Sequence, residues 1–389
     1  MERIIALLLS FFTIVLQFGV TATNDNYEQK TNLQKALDAL KNKDVIIAEY
    51  HEGEPSADVW SPEDAFSLEK ETVTLYKEPG KDFVILNLAD IHFSDYGYRA
   101  LYSLDGEMII KRAVLDAQPD LIVLSGDIVC GDENSTIFSM ERITDLMESF
   151  GIPWAPVFGN HDDESNCDLN FLSDIMMSSP HCLMKKGAPA MGVGNYIVNI
   201  AEKNADGAEK VVESLIFMDS HHSQPNERQI EWLRWAADGI NRATDNGAEI
   251  SLFMHIPIPE YQTAYDEAWD EDAKKWRDGY GAYGELHETI CCDRDGEGNP
   301  KDIGFFSAVK ETGTTRYIFC SHDHANDFSI DYQGVRLTYC MKLGRGSGYH
   351  FGFNGATTIR VGEQGVARIT HKTATYGPLL PIVDINTAE

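Results

Sequence analysis

The chain has 389 residues, 43% hydrophobic and 24% charged, enough to bury the core of one large domain or two modest ones. Thirty-two Lys and Arg face 62 Asp and Glu, a formal charge of −30 with a pI near 4.6. That field argues against nucleic acid and anionic membranes as partners, and an anionic substrate would need a strong local positive centre.

At the N-terminus, "MERIIALLLSFFTIVLQFGVTATND" carries Arg3, an apolar run from Ile4 to about Val20, and small residues ending at Ala22. This predicts a secretory signal peptide over residues 1–22, which would make the protein secreted or extracytoplasmic. An uncleaved anchor is the alternative. Ser10, Thr13 and Gln17 dilute the run, and no later segment suits a stable membrane span. Residues 23–78 read as a polar N-terminal extension packed on the main body, and residues 79–389 as one domain.

From Asp82 onward, short β-branched runs alternate with helical patterns. "FVILNLA" (83–89), "LIVLSG" (121–126) and "WAPVFG" (154–159) predict buried strands, with helices over 99–117 and 137–150 between them. Further strands follow at 195–201, 212–219, 250–256, 316–320, 335–340, 357–361 and 367–371, with helices over 226–240 and before Thr312. The pattern predicts an α/β body with two mixed sheets faced by helices. Residues 261–300 are polar, aromatic and Gly-rich, and predict a long surface insertion that rims a site. The seven cysteines show no CxxC pattern; some pairing is plausible in an oxidising compartment, while Cys320 and Cys340 read as buried packing residues. Asn134 opens a lone glycosylation sequon.

The chemistry lies at the strand ends. Asp90 and His92 follow the first strand, Asp127 the second, and Asn160, His161 and Asp162 the third. His255 ends "ISLFMHIP", and His322 and His324 end "RYIFCSHDH". Each fragment alone is a plausible polar turn. Five strand ends of this kind converge on one crevice in an α/β fold. Residues i and i+2 of extended chain share a face, so Asp90 and His92 can share a centre, whereas a bend can send His322 and His324 to two adjacent ones. Seven candidate ligands (Asp90, His92, Asp127, Asn160, His255, His322, His324) exceed the needs of one open catalytic metal and suit two divalent or trivalent ions. Imidazole, carboxylate and amide donors without thiolate point to Zn, Mn or Fe.

In order, "DIH", "GD", "GNHD", a downstream His and "HDH" resemble the calcineurin-like metallophosphoesterases over about Phe83 to Phe353. "MHIPIPEY", "GFFSAV", "SHDHANDF" and "GSGYHFG" are similar to the purple-acid-phosphatase-like branch that lacks the metal-binding Tyr. The resemblance implies a four-layer α/β/β/α sandwich of two mixed sheets flanked by helices. It implies one metal on Asp90, His92, Asp127 and His324, with Asp127 bridging to a second on Asn160, His255 and His322. His161 would then be an acid or a hydrogen-bond donor toward the leaving-group oxygen, oriented by Asp162.

Two departures stand out. Cys130 replaces the Tyr of the purple enzymes, which implies a colourless protein and a packing role for Cys130; Ser321 replaces the usual Gly before HxH. His221 and His222 are open between lining the pocket and a polar loop, His350 has no assigned role, and Lys342 and Arg345 read as solvated charges, with phosphate contact the alternative. The expectation is a secreted phosphohydrolase in which metal-bound hydroxide attacks phosphomonoesters in line, on a small phosphorylated substrate or a phosphoprotein. Diester or pyrophosphate hydrolysis is the runner-up, and a non-catalytic binding protein is disfavoured.

Overall fold

A computed structural model describes residues 60–94, 99–131, 136–164, 167–203, 207–220, 222–299, 301–344, 354–373 and 380–386, all within one unit, Val45–Glu389. The expected signal peptide, most of the extension, Asn134, His221, Arg345 and His350 lie outside the described residues.

The first predicted strands form β2 (Phe83–Leu88), β3 (Leu121–Ser125) and β4 (Trp154–Val157), parallel neighbours in one sheet. Every residue of all three is buried, as strands covered on both faces require. The crossovers between them carry α1 (Arg99–Ala117) and α2 (Thr136–Glu148). This sheet is completed by antiparallel strands β13 (Gly355–Gly362), β14 (Gly365–Thr373) and β15 (Leu380–Asn386), in the order β15-β14-β13-β2-β3-β4.

The second sheet has seven strands. Its order is β1 (Thr72–Lys77), β5 (Tyr196–Lys203), β6 (Glu209–Phe217), β7 (Glu249–Phe253), β10 (Thr315–Cys320), β12 (Val335–Tyr339) and β11 (Ser329–Tyr332). β6, β7, β10 and β12 run parallel, with antiparallel partners toward both edges. β1 pairs in parallel with β5, so part of the stretch read as an extension is an edge strand of the main sheet. A small hairpin, β8 (Trp269–Asp270) and β9 (Lys275–Trp276), lies apart.

Alternation along β6, β7 and β10 builds the layers. Ile216, Leu252 and Ile318 join the core under α4 (Glu227–Thr244) and α6 (Phe305–Glu311). Their neighbours Phe217, Phe253 and Phe319 stack at 5.3 and 4.8 Å between centroids on the opposite face. Tyr196 continues that ladder and donates its hydroxyl to the Pro156 carbonyl of the other sheet. Each buried ring contributes about 1.5–3 kcal/mol. The result is the expected four-layer sandwich, with helices outside both sheets.

α4 starts where Asn226 and Gln229 cap each other reciprocally. The Gln229 amide also donates to Asn195 Oδ1 and the Asp219 carbonyl, tying the helix to the strand ends that face the site. The 261–300 region differs from the expected loop at its start, where α5 (Glu260–Ala268) and the β8–β9 hairpin form. No disulfide joins the seven cysteines, and Cys320 and Cys340 are buried at the ends of the neighbouring strands β10 and β12.

Candidate metal centre

The carboxyl ends of β2, β3, β4, β7 and β10 turn sharply, and three of those turns carry four candidate ligands in the left-handed region. Asp90, His92 and Asp127 each have φ 48°, and His322 has φ 73°. A non-glycine residue there costs on the order of 1–3 kcal/mol, and such strain clusters at functional sites. Glycine makes the turns possible. A Cβ on Gly126 (φ 89°) would collide with the His255 ring, and one on Gly159 with the backbone and carboxylate of Asp127.

Two groups of donors form, sharing Asp127. Asp90, His92, Asp127 and His324 make one, and Asp127, His255 and His322 the other, with the ligand atoms of each within 4.8 Å of one another. His324 Nε2 is 3.3 Å from Asp90 Oδ1 and 3.1 Å from His92 Nε2. Asp127 Oδ2 lies 3.5 Å from His92 Nε2 and 3.2 Å from His255 Nε2, whose neighbour is His322 Nδ1 at 3.3 Å. Asp127 Oδ1 accepts the His161 backbone N–H. Asn160, on the same turn, offers a buried Oδ1. HxH therefore divides as the bend suggested, one histidine in each group.

The charge state of this pocket suits metal ions. Asp90 Oδ1, Asp127 Oδ2 and Asn160 Oδ1 are buried without a hydrogen-bond partner, an arrangement that normally costs free energy. Burial works against ionisation of Asp90 and Asp127, yet the facing histidines hold both carboxyls below their usual range. Burial drops His92 to about 3, and burial with His255 nearby drops His322 to about 4, so both rings are neutral donors at neutral pH. Burial opposes a proton on His255 as well, but Asp127 and then Asp90 raise it to about 10. The carboxylates that keep that proton would hold a metal ion in its place.

Residues of ordinary chemistry position the ligands. Ser321 donates its hydroxyl to the Ser125 carbonyl at 2.6 Å and faces His255 Nδ1 at 3.1 Å, while Nδ1 is also 3.0 Å from that carbonyl. This leaves Nε2 to face Asp127, the outer-shell support expected of a ligand histidine. Ser220 accepts the Ile256 N–H beside it. Cys130 is buried with Sγ 3.7 Å from His92 Nδ1, the nitrogen opposite the one facing Asp127. Sequence offered no signal for the two serines beyond their positions next to strand ends.

Asp162 does not orient His161. Its buried carboxylate accepts the Gly159 N–H at 2.7 Å and the Val129 N–H at 2.9 Å, tying the loops after β3 and β4 together. The turn closed by Asp162 N–H and the Gly159 carbonyl aims the side chain inward. The partner of His161 Nδ1 is Glu164 at 2.6 Å. Burial lowers the affinity of His161 for a proton, but Asp127 and Glu164 outweigh it and raise the pKa. His222, exposed, pairs with Asp163 at 3.0 Å on the same rim. Lys342 is 1% exposed, not a solvated charge, because its strand end lies against Ala89.

Residues 83–326 match the family model for the calcineurin-like phosphoesterases. Two Arabidopsis thaliana proteins named probable inactive purple acid phosphatase 14 and 28 are 26% and 29% identical over 308 residues, 69% of this chain and 71% of theirs. The Saccharomyces cerevisiae phosphatase DCR2 is 26% identical over 275 residues, 64% of this chain and 45% of that protein. The motif order, the two-sheet sandwich and the matched span agree: the chain belongs to the calcineurin-like phosphoesterase family.

Proposed function

We propose that this protein is a two-metal phosphohydrolase that cleaves phosphomonoesters. The observation that carries the reading is the pair of donor groups sharing Asp127. Asp90, His92, Asp127 and His324 would hold one ion, and Asp127, Asn160, His255 and His322 the other. The donor types suit Zn, Mn or Fe. Two such ions activate a water and neutralise charge on the phosphoryl oxygens.

His161 is the proton donor to the leaving alcohol. Its side chain is 39% exposed, and Glu164 occupies Nδ1, so Nε2 presents the proton. Asp127 Oδ1, by accepting the His161 N–H, fixes the turn that carries the ring beside the cluster. The family match supports a phosphorylated substrate, a small molecule or a phosphoprotein. The acidic surface argues against nucleic acid, so the metal centre would supply the positive focus. A secreted or extracytoplasmic location is part of the proposal and rests on residues 1–22. No helix among the described residues is long and apolar enough to cross a membrane.

Elemental analysis of the purified protein, with assays on an aryl phosphate and a bis-aryl phosphate, tests the reading. Two ions per chain are expected, with monoester turnover lost in His255→Ala and Asp127→Ala. Preference for the diester would move the reading to a phosphodiesterase, and unaltered turnover in Asp127→Ala would remove the bridging role. The relatives' name "probable inactive" raises a non-catalytic binding role as the second reading. Protein still inactive after reconstitution with Zn, Mn and Fe would favour it.

A further inference from the structure

The loop after β10 does more than carry His322 and His324. Asp323, Asn326 and Asp327 are buried, and their side chains grip the backbone of the passing 285–291 segment. Asp327 Oδ1 accepts the Glu285 N–H at 2.8 Å, and Asn326 Oδ1 accepts the His287 and Glu288 N–H groups, each at 3.0 Å. The Asn326 amide returns a bond to the Glu288 carbonyl. Asp323 Oδ2 accepts the Cys291 N–H at 3.0 Å and the Tyr339 hydroxyl at 2.5 Å. The segment is therefore fixed to the histidine loop at several points, and Cys291 is fixed by the residue next to His322.

This fastening brings a third set of donors together. Cys291 Sγ, a ring nitrogen of His322 and a carboxylate oxygen of Asp323 lie within 4.8 Å of one another. Asp323 is buried and His322 half-buried, whereas Cys291 is exposed and reachable from solvent. One sulfur, one imidazole and one carboxylate form a softer donor set than either group around Asp127, which contains no thiol. The thiol gives up its proton when such an ion binds.

We propose that Cys291, His322 and Asp323 form a third cation site, selective for thiophilic divalent ions such as Zn²⁺ or Cd²⁺. It shares His322 with the Asp127–His255 group. An ion bound there competes for His322 with whatever occupies the second position. The site stands on these three residues and does not depend on the phosphohydrolase reading.

The test is titration of the metal-free full chain with Cd²⁺, followed by the ultraviolet thiolate-to-cadmium charge-transfer band. The native protein and Cys292→Ser should develop the band, and Cys291→Ser should not. His322→Ala should shift the midpoint to Cd²⁺ concentrations about 10-fold or more higher, as loss of one of three ligands implies. Cys291 is exposed, so its serine variant keeps the native circular dichroism. A native-sized band in Cys291→Ser, its loss in Cys292→Ser, or a native midpoint in His322→Ala would each overturn the assignment.

Discussion

Replacing Asp162 with Ala removes the acceptor from two buried N–H groups, those of Gly159 and Val129. Each buried donor left without a partner costs about 1–3 kcal/mol, so the gross loss is about 2–6 kcal/mol. Part is returned, because the native carboxyl is itself strained: burial, then the Asp127 carboxylate, pushes it up to about 7. A net destabilisation of about 1–4 kcal/mol follows, a sizeable share of the roughly 5–15 kcal/mol that holds a typical domain folded. Urea unfolding of the metal-free protein measures it directly, without reference to catalysis. Glu164→Gln is the matched control. That side chain is 48% exposed and touches His161, so the unfolding midpoint should stay within about 0.5 kcal/mol of native. If Asp162→Ala were as stable as native while Glu164→Gln unfolded early, the assignment of Asp162 as loop clamp and Glu164 as partner of His161 would be wrong.

Ser321→Ala leaves the Ser125 carbonyl as the hydrogen-bond partner of His255 Nδ1. Calorimetric titration of metal-free protein should show one ion bound about 10-fold more weakly and the other unchanged; two native affinities would show that the carbonyl suffices. Glu213 gives a pH prediction far from the metal ligands. It is fully buried on β6, accepts the Ser251 hydroxyl at 2.7 Å, and is pushed up to about 8 by burial and then by Glu249, against the pull of Ser251. The folded-state pKa lies above the unfolded value of 4.5, so the unfolded chain releases this proton first. Stability from this group is therefore complete below about pH 4.5 and is lost as pH rises toward 8. Glu213→Gln should flatten that loss, gaining a few kcal/mol on native between pH 5 and pH 8, on the order set by about 1.4 kcal/mol per decade. Parallel stability curves for the two proteins would sink the account.

What could be read from sequence alone depended on which residue types are chemically distinctive. Asp, Asn and His at the ends of apolar β-branched runs are conspicuous, and five such ends located all seven candidate ligands. β1 was hidden because "TVTLYK" follows a polar stretch and pairs only at a sheet edge. α5 buries only Tyr261, Ala264 and Ala268, helically spaced but offering one ring and two methyls, an apolar stripe too small to stand out in a polar region. Ser125, Ser220 and Ser321 are as common in turns as in sites, and only coordinates show their hydroxyls or carbonyls facing the histidine segment. The Asp162 reading failed for a different reason: adjacency in sequence suggested a partnership that the turn prevents by sending the carboxylate toward the β3 loop. The strained ligand positions resolve into one physical demand. Asp90, His92, Asp127 and His322 take left-handed backbone that their side chains disfavour, and Gly126 and Gly159 leave the space that the His255 ring and the Asp127 carboxylate need. Local preference is overridden where several strand ends must point donors at one small volume, and the buried core of two packed sheets supplies the stability that tolerates it.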